Sequence, residues 1–457
     1  MIYKNKKIII SSTITLLILI IGTICIFKNK ESIETNKIQA TILFLDNKEI
    51  TVQDKNNIIY TFKTNNMKAN TGEKILIEYT GLLDKNKNIQ NCIITKYTTS
   101  LVSKNEDGIP TDWLDEGLFS KYYTLANNKL KTLTLDEKIG QLLLVRYPDN
   151  NQIEELKKYK FAGYIFFEKD FQNKTESEVK NMINNLQKTT SIPILTAVDE
   201  EGGRVVRVSS NPNLAKEAFK SPSQLYIAGG FNAIKDDTIN KSKILKNLGL
   251  NLNLAPVVDV STNPSDYIYN RTIGLDTSLT STYAKSVIEA SKNTGVSYTL
   301  KHFPGYGNNT DTHLSSSIDT RSYDDIVAND LPPFKSGIGA GAEAVLVSHN
   351  IINSIDHNNP ASLSPSIHNL LRDDLNFTGI IITDDIAMSA VSSISDTTVK
   401  AILAGNDLII TTDYIESINS IKSAINDGTI SEDLIDKLAF RVLAWKYYKG
   451  LMFENQK

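Results

Sequence analysis

The distribution of apolar residues divides the chain into three parts, of which the first is an uncharged run of twenty residues, Ile8–Phe27. At about 1.5 Å rise per residue, a helix of this length spans roughly 30 Å, the thickness of the hydrocarbon core of a bilayer. Lysines flank the run on both sides, and no small-x-small cleavage site follows it. Residues 1–30 are therefore predicted to form a cytoplasmic tip and an uncleaved, single-pass transmembrane anchor, with the remaining chain extracytoplasmic.

The second part alternates apolar and polar residues with a period of two. Five such segments are separated by polar turns: Ile38–Leu45, Glu49–Gln53, Ile58–Lys63, Lys74–Tyr79 and Ile89–Tyr97. This alternation predicts a small antiparallel sheet with one buried face. We expect residues 31–100 to form a small all-β domain, a spacer or wall-proximal module, and residues 101–131 to be a linker.

From residue 132 onward, short apolar runs alternate with helical stretches. Eight runs have the length and continuity of buried parallel strands. They are Leu142–Tyr147, Gly163–Phe167, Ile194–Val198, Leu250–Val258, Ser297–Leu300, Ala344–Ser348, Gly379–Thr383 and Asp407–Thr411. Eight strand–helix units within residues 132–457 predict an α/β fold, a (β/α)8 barrel of the TIM type. The competing fold, a doubly wound open sheet, usually has a glycine-rich phosphate loop after its first strand, and none follows Leu142–Tyr147.

Composition narrows the range of partners. The formal net charge is −3 and no strongly basic domain stands out, so nucleic acid is not an expected partner. The two cysteines, Cys25 and Cys92, lie in separate regions, which argues against a disulfide framework and against a zinc site. We predict no metal and no other cofactor.

Polar residues follow the ends of five predicted strands. They are Asp199, Asp259, Lys301-His302, His349 and Asp384-Asp385. The carboxyl ends of barrel strands meet at one mouth, where barrel enzymes place their catalytic groups. Each residue alone could be a hydrogen-bonded structural group, but together they predict a polar site at that mouth.

The loop after the fifth run carries a further pair, Asp311 and His313. Two residues apart, they are close enough for the carboxylate to orient the imidazole and stabilise its charged form. A surface pair of this kind is usually inert. Its place in a loop rich in glycine, at the predicted mouth, makes it a candidate acid/base dyad.

The motifs around these residues resemble those of glycoside hydrolase family 3, in its β-N-acetylglucosaminidase branch. The most specific is KHFPGYG at 301–307, followed by DTH at 311–313. Five more occur in the order typical of the family: DEEGGRVVR at 199–207, LAPVVDV at 254–260, NRT at 270–272, PASLS at 360–364 and TDDIAM at 383–388. The resemblance covers about residues 132–448.

This resemblance implies a retaining mechanism through a covalent glycosyl-enzyme. Asp384 matches the nucleophile of the family, and His313 matches the acid/base of this branch, with Asp311 as its partner. Asp385 is expected to face away from the site, since adjacent residues leaving a strand point to opposite sides. A histidine with an unperturbed pKa near ~6.5 can donate and accept protons around neutrality.

The resemblance also implies which residues hold the sugar. Positions that bind the hydroxyl groups and the acetamido group are matched by Asp199, Arg207, Arg271, Lys301 and His302. Asp259 and His349 are expected to order neighbouring residues and loops. For Arg204, the sequence does not decide between a structural role and a binding role.

The expected activity is that of an exo-β-N-acetylglucosaminidase acting on a glycan that ends in β-linked N-acetylglucosamine (GlcNAc). The predicted export anchor favours peptidoglycan fragments as the carbohydrate partner. Two alternatives stay open: a phosphorylase with phosphate in place of water, and a non-catalytic sugar-binding protein of the cell surface. A metal hydrolase built on His302, His313 and His349 is disfavoured, because those positions match sugar-binding and acid/base roles.

Overall fold

The computed structural model of the protein describes residues 36–45, 49–54, 58–63, 69, 74–80, 93–99, 104–307, 309 and 317–453. The predicted membrane span Ile8–Phe27 lies outside them, as do Asp311 and His313. Within the described part of the chain, no helix is both long and apolar enough to cross a membrane. The described residues fall into two compact units, 36–99 and 104–453.

The first unit is an antiparallel sheet. Its strands are β1 (Asn36–Leu45), β2 (Glu49–Asp54), β3 (Ile59–Lys63), β4 (Lys74–Thr80) and β5 (Ile93–Thr99), paired in the order β3-β2-β1-β4-β5. Alternate side chains are buried, including Ile42, Val52, Phe62 and Ile77. The predicted antiparallel sheet is confirmed, and its buried face is the apolar one because strand side chains point to opposite faces in turn.

The second unit contains a nearly closed barrel of eight parallel strands. These are β6 (Leu143–Arg146), β7 (Gly163–Phe166), β8 (Leu195–Val198), β9 (Leu252–Asn253), β10 (Ser297–Phe303), β12 (Ala344–Val347), β14 (Ile380–Thr383) and β15 (Ile409–Thr411). Their order is β14-β12-β10-β9-β8-β7-β6-β15, and a bridge between Ile382 and Leu408 links the two ends of the series. The predicted eight-stranded barrel is confirmed. Beside it, β11 (Ile318–Asp319) pairs with β13 (Ile351–Ile352), a small sheet that was not predicted.

Two barrel strands differ from the predicted runs. The fourth predicted run, Leu250–Val258, forms regular strand pairing only over β9. Further along this run, Pro256 has no N–H to donate to a neighbouring strand. The fifth, β10, continues to Phe303, so Lys301 and His302 lie inside the strand and not after it. Charged residues ended the predicted run, but in the structure carboxylates contact both side chains.

Helices alternate with the barrel strands and pack against them. They are α1 (Tyr123–Leu130), α2 (Leu135–Gly140), α3 (Gln152–Tyr159), α4 (Glu168–Phe171), α5 (Glu176–Thr189), α6 (Pro222–Leu248), α7 (Thr277–Ser291), α8 (Tyr323–Asn329), α9 (Leu331–Gly339), α10 (Pro365–Asn369), α11 (Thr397–Ala404), α12 (Tyr414–Asn426) and α13 (Glu432–Tyr448). Several begin with a capping box that is visible in the sequence, as where Thr175 and Glu178 satisfy each other's backbone N–H at the start of α5.

The segment predicted as a linker, residues 101–131, contributes packing to the second unit where it is described. The ring of Phe119 lies 5.3 Å from that of Tyr448, and the ring of Tyr123 lies 5.0 Å from that of Phe440. Both partners belong to α13. Burial of aromatic surface against α13 therefore ties this segment to the barrel.

A buried ion cluster closes the barrel between β14 and β15. Asp407 Oδ2 accepts the N–H of Ile381 at 2.8 Å and pairs with Arg372 Nη2 at 2.5 Å, while Oδ1 pairs with Arg441 Nε at 2.7 Å. Both guanidinium groups also donate to the carbonyl of Gly379. Burial would raise the pKa of Asp407, but Arg441 and Arg372 outweigh it and hold that pKa below its ordinary value.

Asp407→Asn is expected to lower the free energy of unfolding by about 3–5 kcal/mol, because it removes the carboxylate shared by Arg372 and Arg441 and leaves Arg441 only the longer contact to Asp115 at 3.4 Å. Since the pKa of Asp407 is lower in the folded chain than in the unfolded one, its contribution is complete above the unfolded value of about 3.9 and is lost as the pH falls through the folded value. Urea denaturation at several pH values measures both effects. The matched control is Asp149→Asn, which removes an exposed partner of Lys169 and should change nothing measurable. Equal effects of the two substitutions would contradict the role of Asp407.

Candidate active site

A cavity of about 540 Å³ opens where the barrel strands end. Residues at or near the carboxyl ends of five strands form part of its wall: Arg146, Phe167, Asp199, His302 and Asp384. The predicted site residues that the structure describes all line this one cavity, namely Asp199, Arg207, Arg271, Lys301, His302 and Asp384. Asp311 and His313 lie outside the described residues, so their place at the cavity stays a prediction.

Two carboxylates hold Lys301 in the cavity wall. Its side chain is only 3% exposed, and Nζ lies 2.7 Å from Asp199 Oδ1 and 2.6 Å from Glu201 Oε1. Burial alone would lower the pKa of this amine, but Asp199 and Glu201 outweigh burial and raise it. Lys301 is therefore a fixed positive charge.

Glu201 also binds Arg271 through two parallel contacts. Arg271 Nη2 lies 2.7 Å from Glu201 Oε1, and Nε lies 3.0 Å from Oε2. Although burial opposes it, the combined charge of Arg271 and Lys301 holds the pKa of Glu201 far below its ordinary value. The sequence reasoning assigned no role to Glu201. The available signal was its position, since Glu201 comes two residues after Asp199 at the end of β8, and both line the cavity.

Glu200 shapes the loop that follows β8. Its buried carboxylate accepts the N–H of Arg207 at 2.8 Å, the N–H of Val208 at 2.6 Å and the hydroxyl of Ser209 at 2.5 Å. These bonds fold the chain back on itself, and Arg204 and Arg207 line the cavity as a result. Arg204, left undecided by the sequence, is thus a wall residue of the site.

Asp259 orients His302. His302 Nδ1 lies 2.8 Å from Asp259 Oδ2, and Nε2 lies 3.1 Å from Arg271 Nη2. Because arginine can only donate, Nε2 accepts and Nδ1 carries the hydrogen that is donated to Asp259. Asp259 Oδ1 also accepts the N–H of Tyr306 at 2.7 Å, so one carboxylate orders both the imidazole and the start of the following loop.

Asp384 comes directly after β14. Its Oδ1 accepts the N–H of Asp385 at 2.9 Å. Burial raises the pKa of Asp384, but His349, His302, that N–H and Lys301 together outweigh burial and bring the pKa below its ordinary value. The carboxylate is therefore ionised at neutral pH, as an attacking oxygen must be.

Asp385 was expected to face away from the site, and this is wrong. It lines the same cavity as Asp384. Both residues lie beyond Thr383, the last residue of β14, and strict alternation of faces holds only within a strand. Burial and the charge of Asp384 raise the pKa of Asp385, although the N–H of Ala387 donates to it at 3.0 Å.

His349 holds the turn that carries these two carboxylates. Its Nε2 lies 2.9 Å from the carbonyl oxygen of Asp385, and its Nδ1 lies 2.7 Å from the hydroxyl of Ser362. A carbonyl only accepts, so Nε2 donates to Asp385, while the hydroxyl of Ser362 can serve Nδ1 as donor or acceptor. The motif PASLS therefore reaches the site through His349.

Two glycines and three charged residues, here called the clamp, flank the stretch of sequence that contains Asp311 and His313. They are Gly305, Gly307, Asp319, Arg321 and Asp330. Arg321 pairs with Asp319 through Nη2 at 2.6 Å and with Asp330 through Nη1 at 2.7 Å. On the other flank, a Cβ at Gly307 would lie 2.5 Å from Arg321 Nη2, and a Cβ at Gly305 would lie 2.3 Å from Asp330 Oδ1. Glycine is required at both positions because the charged side chains pack directly on the backbone.

Comparison with known proteins agrees with this geometry. The sequence model of the glycosyl hydrolase family 3 N-terminal domain matches residues 134–445. A β-hexosaminidase of Stenotrophomonas maltophilia (strain K279a) is 34% identical over 242 residues, which are 51% of this chain and 69% of that protein. The β-hexosaminidase LpqI of Mycobacterium tuberculosis is 29% identical over 268 residues, 56% of this chain and 68% of that protein.

A solved structure is similar as well. It is that of a family 3 β-N-acetylglucosaminidase from Paenibacillus sp. str. FPU-7, with a TM-score of 0.66, 26% identity, and coverage of 71% of this chain and 66% of that one. The resemblance seen in the motifs is confirmed by the family match. The chain belongs to glycosyl hydrolase family 3 and is a glycoside hydrolase.

Proposed function

We propose that the protein is a retaining exo-β-N-acetylglucosaminidase, which releases terminal β-linked GlcNAc through a covalent intermediate on Asp384. The observation that carries the proposal is that Asp384 is an ionised carboxylate that is not held by a cation. Among the described carboxylates of the cavity, Asp199 and Glu201 are engaged by cations, whereas Asp384 is ionised and forms no ion pair. The names of the relatives, β-hexosaminidase and β-N-acetylglucosaminidase, support the choice of sugar.

The charged wall near Lys301 suits the sugar ring. A hydroxyl group both donates and accepts, and the adjacent Lys301 ammonium and Asp199 carboxylate offer one partner of each kind. Arg271, His302 and Arg207 complete the proposed contacts to the hydroxyl groups and the acetamido group. Since Lys301 and Arg271 are held by Glu201 before any ligand binds, little reorganisation is needed.

His313 is proposed as the acid/base, with Asp311 as its partner. Retaining glycosidases usually supply a second carboxyl group for this task. In the part of the cavity that the structure describes, Asp199 and Glu201 are committed to ion pairs and Asp385 accepts the N–H of Ala387. This supports a proton donor of another type from the adjoining loop.

The proposed reaction has two steps. Asp384 attacks the anomeric carbon while His313 gives its proton to the departing glycosidic oxygen, so the aglycone leaves as an alcohol. His313 then takes a proton from water, whose oxygen displaces Asp384 and releases GlcNAc with the original β configuration. The second step returns both groups to their starting protonation states.

We further propose that peptidoglycan fragments are the natural substrate and that residues 1–30 anchor the enzyme in the cell membrane with its barrel outside the cytoplasm. The support is the uncharged run Ile8–Phe27 with its flanking lysines. A chain that lacks residues 1–30 should move from the membrane fraction to the soluble fraction and keep full activity on a soluble glycoside. A truncated chain that stays with the membrane would contradict the anchor.

Asp384→Ala is expected to reduce hydrolysis of 4-nitrophenyl β-N-acetylglucosaminide by about 10⁴-fold or more, because it removes the carboxylate on which the proposed covalent intermediate forms. The thermal midpoint should change little. Asp374→Ala, which removes an exposed carboxylate before β14, is the matched control. Intact-mass and peptide analysis after treatment with a 5-fluoro sugar inactivator should place the label on Asp384. A label on Asp385 would move the assignment by one residue.

His313→Ala is expected to slow cleavage of a natural disaccharide by about 10²–10⁴-fold, because the departing sugar oxygen needs a proton. A nitrophenyl glycoside should lose much less in the first step, since its phenolate leaves unaided. Hydrolysis of the intermediate then limits turnover, so a burst of nitrophenol should appear, and azide should restore turnover and give the β-glycosyl azide. Asp311→Ala should show a milder form of the same pattern.

The same experiment can reject the assignment of His313. Equal losses on both substrates, with neither burst nor azide rescue, would place the proton donor elsewhere. Asp385 would then be the next candidate, since burial and Asp384 already raise its pKa.

A further inference from the structure

Arg321 connects the two flanks of the stretch of sequence that contains Asp311 and His313. Its guanidinium group pairs with Asp319 at the end of β11, through Nε at 3.0 Å and Nη2 at 2.6 Å. The same Nη2 packs on the preceding flank, where a Cβ at Gly307 would lie 2.5 Å from it. One side chain therefore links the residues before the stretch to the residues after it.

Asp330 fixes Arg321 to the barrel. This buried residue lies between α8 and α9, and its Oδ2 is 2.7 Å from Arg321 Nη1. Helix α9 packs on β10 through the rings of Phe334 and Phe303, whose centroids are 5.1 Å apart. Carboxylates thus bind the guanidinium group on two sides, one from β11 and one from the scaffold beside β10. Two such pairs determine both the position and the plane of a guanidinium group.

The arrangement around Asp330 is costly to the fold. Its Oδ1 is buried without a hydrogen-bond partner among the described residues, and it packs directly on Gly305. Burial raises the pKa of Asp330 to about 7, with Arg321 opposing the rise and the charges of Asp259 and Asp319 adding to it. A buried polar atom without a partner calls for an explanation, and costs of this kind concentrate at functional sites.

The preceding flank is also fixed relative to the cavity. The N–H of Gly305 donates to the carbonyl oxygen of His302 at 2.9 Å. The N–H of Tyr306 donates to Asp259, the carboxylate that orients the imidazole of His302. Arg321 itself is not among the described residues of the cavity wall. An effect of Arg321 on a reaction in the cavity therefore has to pass through the stretch whose ends it holds.

We propose that Arg321 is a positioning residue for proton transfer. By joining the two ends of the stretch that contains His313, it sets the place of that imidazole relative to Asp384. This inference rests on the proposed function, because it assumes that His313 is the acid/base and Asp384 the nucleophile. Position matters at this level, since a displacement of about 1 Å between reacting groups can slow a reaction by about 10²-fold.

The test removes the charge and the donors of Arg321 and compares two substrates. In Arg321→Met, kcat/KM for a natural disaccharide should fall about 10- to 100-fold, because a misplaced imidazole protonates the departing oxygen poorly. The first step with a 4-nitrophenyl glycoside should fall by less than about threefold, since its phenolate leaves unaided. Arg321→Lys, which retains the charge, should give an intermediate loss. The Kd for GlcNAc, measured by calorimetry, should not change.

A double-mutant cycle asks whether Arg321 acts through His313. In a His313→Ala background, Arg321→Met should cost little more on either substrate, because the group that it positions is already absent. An arginine with a merely structural role would instead give losses that multiply.

Arg372→Lys is the matched control for Arg321→Lys. The side chain of Arg372 is 23% exposed, that of Arg321 is 26% exposed, and both pair with a buried aspartate. Arg372 does not belong to the described cavity wall or to the clamp. Its substitution should lower the thermal midpoint and leave the ratio of the two substrates unchanged. Thermal melting of every variant shows whether it is folded at the assay temperature, and if Arg321→Met is not, Arg321→Lys carries the comparison.

Two results would overturn the positioning role. One is an equal loss on both substrates in the Arg321 variants, and the other is a loss in the His313→Ala background as large as in the parent enzyme. The proposed function is judged separately, by His313→Ala alone. If that variant treats the two substrates alike while Arg321→Met does not, His313 is not the acid/base, and Arg321 positions a different proton donor. If neither variant distinguishes the substrates, both proposals fall.

Discussion

Lys301 and Arg271 carry two positive charges into a barrel mouth where little water reaches them, and Glu201 contacts both. Each cation left alone there would cost several kcal/mol, on the order of the penalty for an unpaired buried ion. The shared carboxylate comes from the loop after β8, Arg271 from the segment after β9, and Lys301 from β10. One ion cluster thereby ties three consecutive parts of the barrel together, and His302 and Asp199 take their positions from it.

The cavity is electrostatically divided as a consequence. Around Glu201 the charges are paired, which suits a neutral sugar rich in hydroxyl groups. Arg146, Arg204 and Arg207 line the same cavity and form no ion pair with a described residue. Asp384, with its lowered pKa, therefore shares the cavity both with a group of paired charges and with three unpaired guanidinium groups.

Period-two alternation and continuous apolar runs were sufficient to predict the antiparallel sheet and the barrel, because burial on one face or on both faces determines those patterns. Asp199, His302 and Asp384 were predicted as site residues because each follows the end of a predicted strand. The sequence could not reveal Glu201 as the partner of Arg271, since the two lie 70 positions apart and their pairing is a product of the fold. The direction of Asp385 was predicted wrongly and Arg146 was not singled out, because the direction of a side chain at the end of a strand depends on tertiary contacts. The roles of Asp311 and His313 stay predictions.

The clamp formed by Gly305, Gly307, Asp319, Arg321 and Asp330 separates the scaffold from the stretch of sequence between its two flanks. Its members lie before residue 308 or after residue 316, so the junctions are defined by charges packed on glycine backbone. The stretch of sequence between Gly307 and Asp319 can therefore be replaced as a unit, because the contacts that define its two ends belong to the residues outside it. Chimaeras joined at Gly307 and Asp319 would replace the residues between these two positions and leave every member of the clamp in place.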